Sequence, residues 1–261
     1  MTISLEGKIA VVCGSTQGIG RAIAEAFAEA GATCFLVARN AGSLQEVKSK
    51  LAVNHKQEHK IFVADFADIS QVETAINNIV KSGDVQILVN NTGGPKPGPI
   101  TEVTGSDFVK VFQQHIVCNQ LFVQALIPAM KKHGSGRIIN IISTSVKIPL
   151  ANLGASNTIR AAVASWAKTL SNELGQFNIT VNNILPGFTD TARLTSLIEN
   201  IAKSSGASKE EVAVDLKKGI PMKRFGEASE LASLAVFLAS EAASYITGTS
   251  IPVDGGKTGT I

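Results

Sequence analysis

An uninterrupted apolar run, Ile9–Cys13, leads straight into Gly14-Ser15-Thr16-Gln17-Gly18-Ile19-Gly20. Apolar residues without polar alternation suit a strand covered on both faces. Glycines at its end let the backbone turn sharply and approach a ligand closely. Ile19, Ile23, Ala26, Phe27 and Ala30 then recur at helical spacing, and Gly31 suits the exit of a helix over residues 19–30. Strand, glycine turn and helix in that order open a right-handed crossover in a parallel sheet. Free amides and the dipole at such a helix start favour an anion. The spacing is G-x-x-x-G-x-G, and in this setting it points to a dinucleotide diphosphate held by residues 14 to 20.

The alternation continues. Further strands are expected at Thr33–Ala38, 61–64, 85–89, 137–142, 179–185 and Ser250–Val253. Helices are expected at 41–53, 69–80, 108–132, Gly154–Leu174 and 229–240. Pro128 is expected to end or kink the long helix near its last turn. Residues 195–218 read as two short helices broken at 204–208. The 261 residues therefore predict one domain, a Rossmann-type doubly wound parallel sheet in three layers, α/β/α. The longest departure from regular alternation, about 188–225, is expected to be an insertion covering a substrate.

Composition narrows the function classes. Hydrophobic residues make up 44% of the chain, enough for a sizeable core, and the net charge of +3 comes from scattered basic residues. Neither a nucleic-acid face nor a membrane face is expected. The N-terminus lacks an apolar signal core, and no stretch reaches the roughly 18 apolar residues of a membrane span. Cys13, Cys34 and Cys118 are odd in number and read as reduced core residues of a cytoplasmic protein. No cysteine or histidine spacing suggests a metal site.

The end of the second strand reads Val37-Ala38-Arg39-Asn40. An acid there would meet the ribose 2′-hydroxyl of NAD. Arg39 meets a 2′-phosphate instead, so NADP(H) is favoured over NAD(H). Arg39 also fits a solvated surface residue. Asn40 joins the candidate cofactor contacts, as do Asp65 and Phe66 after the third strand. Asp65 is placed to accept a bond from the adenine amino group or to serve as a helix N-terminal acid.

Further motifs follow in order. They are Asn90-Asn91-Thr92-Gly93, Gly136-Arg137-Ile138-Ile139-Asn140-Ile141, Pro186-Gly187-Phe188-Thr189-Asp190-Thr191 and Pro252-Val253-Asp254-Gly255-Gly256. With the glycine turn, they make the chain resemble the short-chain dehydrogenase/reductase family over essentially its whole length. Within it, the Asn90 to Pro95 loop resembles a β-ketoacyl-reductase-like subgroup. The resemblance implies an NAD(P)-dependent oxidoreductase. It implies that Asn90 braces the fourth strand. Asn91, Thr92 and Gly93 line the cofactor, with Gly93 letting the backbone pass close to the adenosine ribose. Pro186, Gly187, Thr189 and Thr191 hold the nicotinamide end. It also implies pairing of the long helices across a two-fold axis, hence a homotetramer or homodimer.

The family's chemistry requires a Ser, a Tyr, a Lys four residues after the Tyr, and a helix Asn. Counted from the flanking motifs, Ser143 falls at the catalytic serine. The tyrosine position is Ser156, the lysine position Arg160 and the asparagine position His115. The one tyrosine, Tyr245, lies in a region that is structural in the family. A serine hydroxyl is a far poorer acid or base near neutral pH than an activated phenol. Arg160 can bond the nicotinamide ribose but cannot exchange a proton. Cofactor binding should survive, and the usual acid–base step should not. Three groups are candidates to replace it. His115 titrates near neutrality, Lys147 could donate if desolvated, and Ser156 could donate weakly when held by Arg160. Each also has a bland account, as a packed helix histidine, an exposed loop lysine and a helix residue without chemistry.

Three functions are compatible with this pattern. One is an NADP(H)-linked enzyme acting on a small carbonyl compound or secondary alcohol with a rearranged acid–base set. Another is an NADP(H)-binding sensor or partner subunit without turnover. The third, a fold kept for assembly alone, is opposed by the intact glycine turn. The sequence does not name the substrate.

Overall fold

The computed structural model describes residues 3–260. Seven strands form one parallel sheet in the order β3-β2-β1-β4-β5-β6-β7. They are β1 (Ile9–Cys13), β2 (Thr33–Ala38), β3 (Lys60–Val63), β4 (Ile87–Asn90), β5 (Gly136–Ile141), β6 (Ile179–Pro186) and β7 (Ser250–Val253). The order reverses between β1 and β4, and open α/β sheets bind ligands at such a reversal, outside the carboxyl ends of the strands.

Helices cover both faces. On one side, α1 (Gly18–Glu29) packs against α9 (Ala228–Ala239), with α2 (Ala41–Lys50) beside them. On the other lie α3 (Ile69–Ser82), α4 (Gly105–Phe112), α5 (Cys118–Lys132) and α6 (Gly154–Leu174). Successive β1 residues serve opposite cores. Ala10 and Val12 join Ile23, Phe27 and Leu231, while Val11 and Cys13 join Phe122, Leu126 and Leu170. That two-residue alternation, apolar on both faces, is why the central strands read as continuous apolar runs.

Local corrections have physical causes. The long helix begins at Gly105, three residues before the expected 108, because Thr104 and Asp107 form a reciprocal capping box. Between α4 and α5 the chain passes through a π-helical turn, Gln113–Val117. Pro128 does not end α5, which continues to Lys132. The strand expected at 85–89 runs instead over Ile87–Asn90.

The region expected as an insertion holds α7 (Ala192–Ser205) and α8 (Lys209–Lys218), separated by Gly206 in the left-handed conformation. Each buries a single side chain, Leu194 and Val212. The pair is tied down at its ends. Phe188 meets Phe225 edge-on at 6.3 Å, and the Asp190 amide donates to the Gly226 carbonyl. No helix among the described residues is long and apolar enough to cross a membrane.

One buried network joins the strands that carry the site. The Asn90 amide donates to Asn140 Oδ1 at 2.9 Å, Asn140 donates to Asn183 Oδ1 at 2.9 Å, and Asn183 donates to Ser250 Oγ at 3.0 Å. These four residues are direct register partners across β4, β5, β6 and β7. The ladder therefore sets the relative height of the strand ends just before Asn91, Ser143 and Pro186.

Candidate active site

The glycine turn sits at the reversal point, between β1 and α1. Gly14 and Gly18 have φ of +61° and +53°, a region that glycine enters without steric cost. A Cβ on Gly14 would lie 2.6 Å from the Asn91 carbonyl oxygen, and one on Gly20 would strike the Gly14 carbonyl. Asn91 Nδ2 donates to the carbonyls of Cys13 and Gly14 at 3.2 and 3.3 Å, fastening the turn to the end of β4. Gln17, at the start of α1, makes no side-chain cap, whereas Asn40, Asp68, Thr104 and Ser208 cap their helices. The first amides of α1 thus have no side-chain acceptor, as a diphosphate cradle requires. Ser15 is wholly buried with its hydroxyl unpartnered, Thr16 is half-buried, and Gln17 and Arg39 are exposed. These residues fit the diphosphate and 2′-phosphate of NADP(H).

The adenine end is less uniform. Asn40 Oδ1 accepts from the Ser43 amide at 2.8 Å, so its oxygen serves the start of α2. Asp68, not Asp65, caps α3, and Asp65 Oδ1 accepts from the Ala67 amide. The Phe66 ring stacks on Phe122 at 5.9 Å, leaving its backbone rather than its ring for a ligand. Gly93 is exposed, and a Cβ there would meet nothing within 4 Å.

At the nicotinamide end, a Cβ on Gly18 would lie 3.2 Å from Thr191 Cγ2, so the turn and the Pro186–Thr191 segment face each other. The Thr191 hydroxyl donates to the Thr189 carbonyl at 3.2 Å, and buried Thr189 donates to the Gly187 carbonyl at 3.3 Å. Gly187 is required because a Cβ would come within 2.6 Å of Asp254. Asp254 in turn accepts from the Gly256 and Thr258 amides. The C-terminal motif therefore buttresses this loop.

Ser143, half-buried after β5, accepts from the Ser145 amide at 3.1 Å. Ser156 is buried on α6 and accepts from Arg160 Nε at 3.2 Å. Each hydroxyl is only an acceptor among the described residues, so each proton is free for a ligand oxygen. Arg160 Nη1 donates to the carbonyls of Ile141 and Ile142 at 3.3 and 2.7 Å. Burial, and then the charge of Arg193, pull its guanidinium down to about 10, which leaves it charged at neutral pH.

His115 lies in the π-helical turn and is 4% exposed. Its Nδ1 is 2.8 Å from the Thr92 hydroxyl, and its Nε2 has no partner. Burial first, then the Arg160 charge, push the imidazole down to about 3, against a smaller upward pull from the Gly93 backbone. This corrects the expectation of titration near neutrality: His115 is neutral there and is no acid. Lys147 is exposed beyond the short turn Thr144–Val146, without the desolvation that a donor role required. No group of three or more His, Cys, Asp or Glu that could hold a metal occurs among the described residues.

Two features escaped the sequence. The asparagine ladder shows there only as an Asn near the end of each of three strands. Arg193, on α7, donates to the carbonyls of Gly94 and Pro95 at 3.2 and 2.9 Å, spanning the cleft. Its place two residues after Thr191 was the available signal.

The family profile described as Enoyl-(Acyl carrier protein) reductase matches residues 14–258. This chain belongs to the short-chain dehydrogenase/reductase family. It is 35% identical over 252 residues to the NADPH-dependent reductase BacG of Bacillus subtilis (strain 168), covering 96% of this chain and 97% of that one. It is 35% identical over 263 residues to the 3-oxoacyl-[acyl-carrier-protein] reductase FabG of Aquifex aeolicus (strain VF5), covering 98% and 99%. L-sorbose reductase from Gluconobacter frateurii, crystallised with NADPH and L-sorbose, superposes with a TM-score of 0.94 at 33% identity, over 100% of both chains.

Proposed function

We propose that this chain is an NADP(H)-linked oxidoreductase that reduces a carbonyl or oxidises a secondary alcohol, using an acid–base set without a phenol. The carrying observation is the uncapped start of α1, closed against Asn91 on one side and Thr191 on the other. Gly14 to Gly20 would hold the diphosphate and Arg39 the 2′-phosphate. Asn40, Asp65 and Phe66 would line the adenosine half. Asn91, Thr92, Gly93, Pro186, Gly187, Thr189, Thr191 and Arg160 would line the nicotinamide half. NADPH bound there supplies a hydride to the carbonyl carbon. The Ser143 hydroxyl would hydrogen-bond to the substrate oxygen and polarise it, and the alkoxide left by hydride arrival would take its proton from water. Ser156, oriented by Arg160, offers a second hydroxyl proton, and the fixed Arg160 charge favours an oxyanion beside it. His115 and Thr92 form a neutral hydrogen-bonded pair behind these groups, and Lys147 stays in solvent. The NADPH-dependent relatives favour turnover over the binding-only reading.

The pair α7 and α8 covers the substrate in this reading. Val109 and Phe112, 66% and 44% exposed on α4, support pairing of the long helices into a homotetramer or dimer, which light scattering would check. Titrating the protein with NADPH and NADH by ligand fluorescence tests the cofactor. We expect NADPH to bind at least tenfold tighter; tighter NADH binding would remove Arg39 from the site. A screen of ketones and secondary alcohols, followed by NADPH absorbance, tests turnover.

A further inference from the structure

Arg160 from α6 and Arg193 from α7 converge on one point. Their Nη2 atoms lie 3.3 and 3.1 Å from where a Cβ on Gly94 would sit, so Gly94 leaves the space between the two guanidiniums open. The chain has six arginines. Arg21, Arg137 and Arg224 pair with Glu25, Glu241 and Glu230. Arg39, Arg160 and Arg193 pair with no carboxylate among the described residues. Backbone carbonyls of Ile141, Ile142, Gly94 and Pro95 hold the converging pair in place. Arg160 Nη2 donates to nothing among the described residues. The two like charges, Arg160 half-buried and Arg193 exposed, repel each other, and carbonyl dipoles offset that only in part. The downward pull of Arg193 on Arg160, and of Arg160 on the neighbouring His115, reports the same excess of positive charge. Burial, more than that charge, keeps His115 neutral, and its Nε2 is buried without a partner.

We propose that Arg160 and Arg193 together bind the carboxylate of the substrate, which is therefore a small oxo acid or the corresponding hydroxy acid. A carboxylate suits planar guanidinium donors and would offset the repulsion between them. The inference rests on the proposed role of Ser143, because Arg160 grips the two carbonyls immediately before that serine and so sets the anion beside the reacting oxygen. The cofactor's own phosphates have separate places at the start of α1 and at Arg39. The probes are therefore 2-oxo and 3-oxo acids, whose carboxylate stands near the carbonyl.

The test is calorimetric and needs no turnover. Protein saturated with NADP+ is titrated with pyruvate, 2-oxohexanoate, acetoacetate and 3-oxohexanoate, each beside its ethyl ester. At least one acid should bind, and its ester should bind at least about tenfold more weakly. Arg193→Met should weaken the acid by about 10- to 100-fold, the loss of a charge-assisted bond. Arg193→Lys should recover part of that, and affinity for NADP+ should stay within about twofold. Binding of none of the acids, or ester binding equal to acid binding, would overturn the proposal. So would an equal loss of NADP+ affinity in Arg193→Met, which would assign the arginine to a cofactor phosphate. Should every carbonyl compound fail to oxidise NADPH while an acid still binds, the oxidoreductase reading falls and the anion site stands.

Discussion

Replacing Asn140 by Ala removes the middle rung of the ladder that joins β4 to β7. Asn140 is wholly buried, and both its bonds are 2.9 Å long. The substitution orphans Asn90 Nδ2, a donor, and Asn183 Oδ1, an acceptor. Asn90 Oδ1 already lacks a partner, so the Asn90 amide would lose its side-chain bonding altogether. An unsatisfied buried polar group costs about 1–3 kcal/mol, so two cost roughly 2–6 kcal/mol. For a chain of this length that is a fall in Tm of roughly 4–24 °C. Urea unfolding followed by circular dichroism, at fixed protein concentration, measures it. Asn90→Ala combined with Asn140→Ala should cost less than the two single changes added, because the double variant no longer strands the Asn90 donor. A loss below about 1 kcal/mol for Asn140→Ala, or full additivity in the pair, would refute the ladder as the element holding the strand ends in register.

Three further outcomes follow from the site. Gly20→Ala drives a Cβ into the Gly14 carbonyl and to 2.5 Å from Asn91 Nδ2, so NADPH affinity should fall at least about 100-fold while the far-UV circular dichroism stays unchanged. The folded-state pKa of His115 is lowered to about 3, so the unfolded chain binds the extra proton between about 3 and 6.5. Stability from this residue is therefore complete above pH 6.5 and falls with pH by up to roughly 1.4 kcal/mol per unit, a slope that His115→Gln should remove in urea titrations at pH 5 to 7. Ser156→Tyr with Arg160→Lys should raise reduction of simple ketones at least about tenfold over the parent, whereas Ser156→Tyr alone should not, because the half-buried Arg160 side chain bonded to residue 156 leaves a phenol no room. Equal rates in parent and double variant would mean that the pocket has diverged beyond these two positions.

The sheet was legible because its central strands are buried on both faces and need no partner to be recognised. Ile9–Cys13 and Thr33–Ala38 carry their signal in five and six consecutive residues. The diphosphate turn was legible because its glycines meet steric demands made by nearby backbone, at Gly14 and Gly20 above all. Other features depend on contacts that no local pattern encodes. The π-helical turn inverts the simple reading of His115, since it brings a titratable ring into a buried place beside a fixed charge. Position alone points Asn40 and Asp65 toward the cofactor, and the local amide bond that a side-chain oxygen of each accepts shows only in the fold. Arg193 reads in sequence as one more exposed helix residue, and only the folded chain shows it lying across the cleft to Gly94.

The substitutions at 156 and 160 are best understood together. An arginine holds its charge whatever its neighbours do, whereas a lysine in the same half-buried place would be drawn toward neutrality by Arg193. A phenol at 156 would compete for the space that the guanidinium fills where it donates to that residue. Serine avoids this by its size, and its hydroxyl does not ionise in the accessible pH range. The bulk of the arginine therefore excludes the tyrosine, and the small serine accommodates the arginine. The pair trades proton transfer for a permanent positive charge next to Ser143. That trade benefits catalysis where the ligand itself brings negative charge to the site, whether as the oxyanion formed during reduction or as a group it carries throughout. In the second case the rate should depend on the charge of the substrate far more than on the pH of the solution.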